Sequence, residues 1–208
     1  MTQRRIAIAA LLVLVFVGAA SAKGGAGSVF FGFSEPSWHP SFLPESSSSY
    51  QLSYFGGEGY GVDSDGVISG GFIMALSSTS SDQSDMTSQD PLAFGMAGGA
   101  ILGSRLVSEP GLHLDLAARV GVGGFIGQSG QYVTDSYGYS YYDSVTTDAY
   151  FVGYFEPYIE LGVKVFRWMR VSAVLGYQYM PNLSPGKPFE KFWLSNPTLG
   201  FTASFGKF

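Results

Sequence analysis

The amino-acid sequence predicts an all-β protein, an eight-stranded antiparallel up-and-down transmembrane β-barrel. Apolar and polar residues alternate with the two-residue period of strands, and no stretch has the 3.6-residue period of a helix. The connections between the apolar segments alternate between short and long. Only 13% of the residues are charged, whereas a soluble surface needs about 25 to 35%. This shortage is explained if one face of every strand meets lipid.

Residues 1–22 have the features of a cleaved secretory signal of the Sec type. Arg4 and Arg5 precede an apolar run, and small residues lead to a cleavage site after Ala22. The run is shorter than the roughly 20 residues that a membrane-spanning helix needs. We therefore expect residues 23–208 to form one barrel domain of an exported protein. Because the sequence contains no cysteine, it offers no disulfide, lipoprotein anchor or thiolate metal site.

Clusters of Gly, Ser, Asp, Asn and Pro divide the rest of the chain into eight apolar segments. The predicted strands are residues 27–34, 48–61, 66–78, 91–107, 111–127, 149–166, 170–180 and 192–207. The connections VDSD, SEPG and RWM are tight turns, and the long connections are residues 35–47, 79–90, 128–148 and 181–191. In such a meander all the long loops gather at one end. Outer-membrane barrels have this layout, with short periplasmic turns and long extracellular loops.

The alternation also assigns the two faces of each strand. In the fifth predicted strand, one face carries Leu112, Leu114, Leu116, Val120, Val122 and Ile126, and the other carries His113, Asp115 and Arg119. The apolar face is bulky and continuous, so we expect it to point outward to lipid. A soluble lipocalin-like barrel is the alternative, but it would expose a face rich in Gly, Ala and Ser to water. Aromatic residues near both strand ends are expected to form interfacial girdles.

Ionisable side chains on the other face would project into the barrel, where there is room only for side chains or one small ligand. The predicted lumen network comprises Glu58, Arg105, His113, Asp115, Arg119, Glu156, Glu160, Lys164 and Arg170. Opposite charges should pair there, because an unpaired buried ion is costly. We interpret them as a network that plugs the lumen, with a narrow or gated pore as the alternative. Glu58 and Tyr54 are four residues apart, so a regular strand would place both on the same face, which the large apolar residues of this strand assign to the outside. A β-bulge at Gly56–Gly57 is therefore expected to turn Glu58 inward.

In layout the chain resembles the small eight-stranded outer membrane protein β-barrel domain family, porin-like barrels of the OmpA/OmpX type. The resemblance is most specific in YFEPYIELGVKVFRWMRVSAVLGYQY, residues 154–179, and in the terminal TLGFTASFGKF. It implies residence in a Gram-negative outer membrane, with outer-membrane lipid and the barrel-assembly machinery as partners. Phe208 would be the assembly signal. The chain departs from the commonest signal at Thr202, Ser204 and Gly206.

The sequence predicts no enzymatic activity, no cofactor and no metal site. His113 and Asp115 share a face, but the chain has only two histidines and places no nucleophile beside them. Lipid A deacylases and palmitoyltransferases also use eight-stranded barrels, which makes an outer-leaflet lipid-modifying enzyme the minor alternative. Only His39 would lie near that leaflet, and it lacks the deacylase motif. The net charge of -5 argues against nucleic acid as a partner.

The loop of residues 129–148 mixes Tyr, Ser, Gly and Asp, a composition typical of recognition surfaces. Its candidate recognition residues are Tyr132, Tyr137, Tyr139, Tyr141 and Tyr142, and a solvated hairpin extension is the alternative. We therefore expect a structural or surface-interaction role in the outer membrane, with an extracellular ligand bound through the loops. The competing function is that of a narrow passive pore or of a transporter for small solutes or hydrophobic ligands.

Overall fold

The computed structural model is a closed barrel of eight antiparallel strands, which confirms the predicted all-β, up-and-down barrel architecture. It describes residues 25–34, 50–80, 93–134, 140–184 and 193–206. The strands are β1 Gly25–Ser34, β2 Tyr50–Val62, β3 Val67–Ser80, β4 Ala93–Ser108, β5 Leu112–Thr134, β6 Ser140–Phe166, β7 Met169–Pro181 and β8 Trp193–Gly206. Each strand pairs with its neighbours in the chain, and β1 pairs with β8. None of the described segments is a helix long and apolar enough to span a membrane.

The three predicted tight turns lie at one end of the barrel, which we call the turn end. The best-defined turn joins β2 to β3, where the Asp63 carboxylate accepts hydrogen bonds from the amides of Asp65 and Val67 at 2.9 and 2.8 Å. Gly66 has a φ of +82°, in the left-handed region that glycine adopts without strain. Its carbonyl accepts a 2.7 Å bond from the amide of Arg105, which ties this turn to β4.

Large apolar side chains cover the outer wall of the barrel, as the alternation predicts. On β4 to β7 these exposed residues include Met96, Leu102, Leu116, Val120, Val122, Phe155, Ile159, Leu161, Val163 and Leu175. On the same strands, Asp115, Arg119, Glu156, Glu160 and Arg170 are buried on the inner face. The assignment of faces made from the sequence is therefore confirmed on these strands.

Aromatic side chains stack on the outer wall at the turn end. The ring of Trp168 lies 5.5 Å from that of Phe166 and 6.0 Å from that of Phe205, with interplanar angles of 11° and 18°. Phe151 and Tyr177 are exposed toward the opposite end, which we call the loop end. The predicted assembly signal, Phe208, lies outside the described residues.

The orientation of β2 differs from the sequence prediction. Its ladders with β1 and β3 run without a register shift, so the predicted bulge at Gly56–Gly57 is wrong. Glu58 points inward together with Leu52 and Tyr54, which are 2% and 3% exposed. Apolar residues that were expected to face outward therefore lie in the lumen beside the carboxylate.

Two glycines explain why the Tyr54 ring fits inside. A Cβ atom at Gly32 would collide with the ring, and one at Gly200 would lie 2.9 Å from its hydroxyl oxygen. These positions on β1 and β8 leave a space that a large side chain of β2 can occupy. The outward positions of β2 hold mostly small residues, with Phe55 as the large exception at 51% exposed. Hydrophobicity alone therefore indicates the wrong face for this strand.

Strands β5 and β6 extend far into the segment predicted as a long loop. They form 23- and 27-residue strands whose ladder runs from Leu112↔Val163 to Thr134↔Ser140, with a shift at Gln131/Tyr132. The prediction that residues 128–148 form a loop is therefore wrong for most of its length. The β-branched and aromatic residues of this segment favour strands. The ladder of β4 with β5 ends at Ala93↔Gly127, so the hairpin continues beyond it.

The orientation of β2 can be tested by labelling single cysteines, because the chain has none of its own. In the folded protein, Phe55→Cys on the outer wall should react with N-ethylmaleimide, a small reagent that enters lipid and detergent, faster than Tyr54→Cys, which should react only after unfolding. The two sites are neighbours, so each serves as the control for the other. The reverse pattern of labelling would restore the bulge at Gly56–Gly57.

Candidate functional site: a charged cluster in the lumen

The centre of the lumen is occupied by the guanidinium group of Arg119, which projects from β5 and is 1% exposed. Its Nη2 and Nε donate to Glu58 Oε2 on β2, at 2.8 and 3.2 Å. Its Nη1 donates to Glu156 Oε2 on β6, at 2.9 Å. One cation therefore joins carboxylates from two other strands, and the side chains of both carboxylates are fully buried.

Neutral polar groups hold Glu156 in place. The hydroxyl of Tyr154 donates to its Oε2 at 2.7 Å, and Thr198 on β8 donates to its Oε1 at 2.9 Å. Gln178 on β7 in turn donates to the Tyr154 hydroxyl at 3.3 Å. Hydrogen bonds to an ionised acceptor are stronger than neutral ones. The carboxylate thus accepts hydrogen bonds from side chains of β6 and β8 as well as from the arginine.

Two aromatic rings enclose the guanidinium of Arg119. The rings of Phe30 and Tyr158 each lie 4.4 Å from its Cζ, which is within the range of cation–π attraction. Phe30 belongs to β1, which stands opposite β5 in the closed order of eight strands. Arg119 and Phe30 therefore bring opposite walls of the barrel into contact across the lumen. We call Phe30, Glu58, Arg119, Glu156 and Tyr158 the central cluster.

A second group of charges lies closer to the turn end. Arg105 on β4 donates to both oxygens of Asp115 on β5, through Nε and Nη2, at 2.8 Å each. His113 Nε2 lies 3.2 Å from Glu160 Oε1 and 4.0 Å from Asp115 Oδ2. All of these residues except Arg105 are buried. The group links β4, β5 and β6 along the same wall.

Gly162 makes room for the imidazole in this second group. It is paired with His113 in the β5–β6 ladder. A Cβ atom at Gly162 would collide with the imidazole ring and with the Ser172 hydroxyl. A glycine is therefore required opposite His113 because the ring lies across the neighbouring strand.

The structure places all nine predicted lumen residues on inward positions. Seven are buried, Arg105 has a side chain that is 10% exposed, and Lys164 is half-buried. Lys164 pairs with Arg170 in the β6–β7 ladder, close to the turn end. Among the described residues, the lumen contains four cationic side chains, on Arg105, Arg119, Lys164 and Arg170, and four buried carboxylates, on Glu58, Asp115, Glu156 and Glu160. The opposite charges of the lumen are therefore nearly balanced.

Three of the five predicted recognition tyrosines lie in the extended hairpin. Tyr132 pairs with Tyr142, and Tyr141 pairs with Val133. Tyr137 and Tyr139 fall outside the described residues. The structure thus places three of the five tyrosines on a β-ladder and not on an irregular loop.

The lumen network predicted from the sequence did not include the neutral side chains that contact Arg119 and Glu156, directly or through one another. Tyr154 and Tyr158 share the parity of Glu156 and Glu160 on β6, and Gln178 shares the parity of Arg170 on β7. That parity was a usable signal. The contributions of Phe30 and Thr198 carried no such signal, because they depend on which strands face each other across the lumen.

The arrangement suits charge neutralisation better than chemistry on a substrate. Its carboxylates and its central guanidinium are already bonded to each other and are shielded from solvent. Among the described residues, no group of three or more His, Cys, Asp or Glu side chains is arranged to hold a metal ion.

No protein-family model matches the chain, and no curated protein sequence is significantly similar to it. The resemblance to small outer-membrane barrels therefore remains a prediction from the sequence.

Removing the central cation should destabilise the barrel strongly. Arg119→Gln leaves Glu58 and Glu156 buried without their cation, and we expect it to lower the free energy of unfolding by about 3–5 kcal/mol. The matched control is Arg167→Gln in the exposed β6–β7 turn, which should change that free energy by less than about 0.5 kcal/mol. Urea titration of the refolded protein measures both values.

Adding Glu58→Gln to Arg119→Gln should recover part of the loss, because one unpaired carboxylate is then removed. Equal effects of Arg119→Gln and Arg167→Gln would contradict the central role of this cluster.

Proposed function

We propose that this chain is an integral outer-membrane β-barrel of the OmpA/OmpX type, with a structural or surface-interaction role and a closed lumen. The observation that carries the proposal is the reversed polarity of the barrel. Charged residues are buried inside, while Phe, Leu, Ile and Val side chains are exposed outside. In a soluble barrel the apolar face would be the inner one.

The extent of the apolar wall supports a lipid environment. Exposed large apolar residues lie on all eight strands, with fractional exposures of 36% to 62%. Soluble monomers rarely expose apolar patches larger than a few hundred Å². In water this wall would promote association, whereas in a bilayer it faces hydrocarbon and the buried backbone is satisfied by the closed ladder.

The central cluster supports a barrel that acts as an anchor instead of a pore. Arg119 is in contact with groups from β1, β2 and β6, on different sides of the lumen. These contacts are short and mutually neutralising, so a solute would have to break several charge-assisted bonds to pass. If the lumen is sealed, partners can bind only to the segments that project past the barrel wall.

The extended hairpin of β5 and β6 supports the surface-interaction role. Beyond Gly127↔Asp148 the ladder continues to Thr134↔Ser140. It therefore projects on the loop end, which would be extracellular in the orientation of outer-membrane barrels. A two-stranded ladder presents its tyrosines on a more regular support than a loop, and a rigid support lowers the entropic cost of binding.

Membrane placement can be tested with arginines at two depths on the outer face of β6. Ile159→Arg lies in the middle of the wall and should lower the free energy of unfolding in lipid vesicles by about 2–4 kcal/mol. Val165→Arg, on the same face but beside the end of β6 at Phe166, should cost about 0–1 kcal/mol. Small and equal effects at both depths would indicate a barrel surrounded by water.

Electrical recordings in planar bilayers test the closed lumen. The folded protein, identified by a gel mobility that changes on boiling, should give no reproducible unitary currents. Currents from the unmodified protein that change with Glu160→Gln would show that ions pass the buried charges. That result would replace the anchor with the narrow pore as the function.

A further inference from the structure

A cavity of about 450 Å³ opens at the turn end, outside the central cluster. It lies between the β2–β3 turn, the last residues of β4 and the first residues of β1 and β7, and Tyr60 also lines it. Its volume lies within the roughly 300–1,000 Å³ range of small-molecule sites. Neither the closed lumen nor the surface-interaction role proposed above involves a ligand bound in this cavity.

Basic side chains line part of this cavity. Arg105 and Arg170 both contribute to its lining. The two bonds from Arg105 to Asp115 use Nε and Nη2, and Nη1 donates to none of the described residues. Since Asp115 fixes the guanidinium, this donor is already oriented before a ligand arrives. Arg170, which is 8% exposed, adds a second positive charge in the same lining.

Two aspartates also line the cavity. Asp63 and Asp65, in the β2–β3 turn, are exposed and line it. Asp63 is engaged by the amides of its own turn. Asp65 accepts only a long 3.4 Å bond from Ser64. Within the described residues neither carboxylate forms a salt bridge with an arginine of the cavity. Side chains of both signs therefore line one cavity without forming a salt bridge with each other in the described part of the chain.

We propose that this cavity binds a small zwitterion, a free amino acid or short peptide that carries both an ammonium and a carboxylate group. The carboxylate would be bound by Arg105 and Arg170, since guanidinium groups match carboxylate geometry. The ammonium group would lie beside Asp65. A ligand with a single charge would pair either with the arginines or with Asp65, and it would leave the other group without an opposite charge. The proposal does not depend on the medium that surrounds the barrel.

The experiment compares three compounds of one skeleton with the full-length folded protein. Glycylglycine has both charges, N-acetylglycylglycine has only the carboxylate, and glycylglycinamide has only the ammonium group. Binding is followed by NMR through the backbone amides of Gly66 and Ser108, which line the cavity. Glycylglycine should give saturable shifts, with an affinity about tenfold higher than either single-charge analogue, as expected for one lost charge-assisted bond.

A turn variant tests the role of Asp65 separately. Asp65→Asn is exposed and should fold normally, and it should weaken glycylglycine binding to the level of the N-acetyl analogue. Glu109→Gln, in the neighbouring β4–β5 turn but outside the cavity lining, should leave binding unchanged. The proposal is overturned if glycylglycine gives no saturable shifts, if the N-acetyl analogue binds equally well, or if Asp65→Asn has no effect.

Discussion

A guanidinium group at the centre of a narrow barrel has to be neutralised where water cannot reach it. Arg119 meets this constraint through Glu58 and Glu156, while Phe30 and Tyr158 cover its two faces. A single unpaired charge at this depth would cost several kcal/mol. The positions of β1, β2 and β6 relative to β5 are therefore tied to one side chain, and the register of the barrel has to deliver all of these partners to the same level.

This constraint concerns specificity more than stability. A buried ion pair gains little over a well-packed apolar pair, but losing one partner is costly. A barrel that slipped by one residue on β2 would turn Glu58 outward and leave Arg119 with a single carboxylate. The central cluster thus penalises the wrong register. The glycines at positions 32, 162 and 200 act in the same sense, because they leave space for Tyr54 and His113 only when the strands are aligned as observed.

Much of the fold could be predicted from the sequence because the alternation of β4 to β7 is strong. Leu116 and Ile159 face outward and Asp115 and Glu160 face inward, as their spacing requires. The prediction failed on β2, where Tyr54 is large but occupies space left by glycines on neighbouring strands. Such a fit is a property of the packed barrel and leaves no trace in the spacing along one strand.

The sequence predicts which charged side chains point into the lumen, but it does not predict which of them contact each other. Parity places Arg119 inside, but the stagger between strands decides whether Glu58 or Glu160 reaches it. The structure pairs Arg119 with Glu58 and Glu156, and it pairs Glu160 with His113. The length of the β5–β6 hairpin was also missed. Gly, Ser and Asp in residues 128–148 are typical of loops, yet the register of the two strands continues through them.

Hydrogen exchange of the arginine side chains tests the sealed lumen most directly. In lipid nanodiscs, the Nε proton of Arg119 can be followed by NMR against that of Arg167, which is exposed in the β6–β7 turn. The closed central cluster predicts that the Arg119 proton exchanges with water far more slowly than the Arg167 proton. Exchange of both protons at the same rate would mean that water reaches the centre of the barrel, and would contradict the closed lumen.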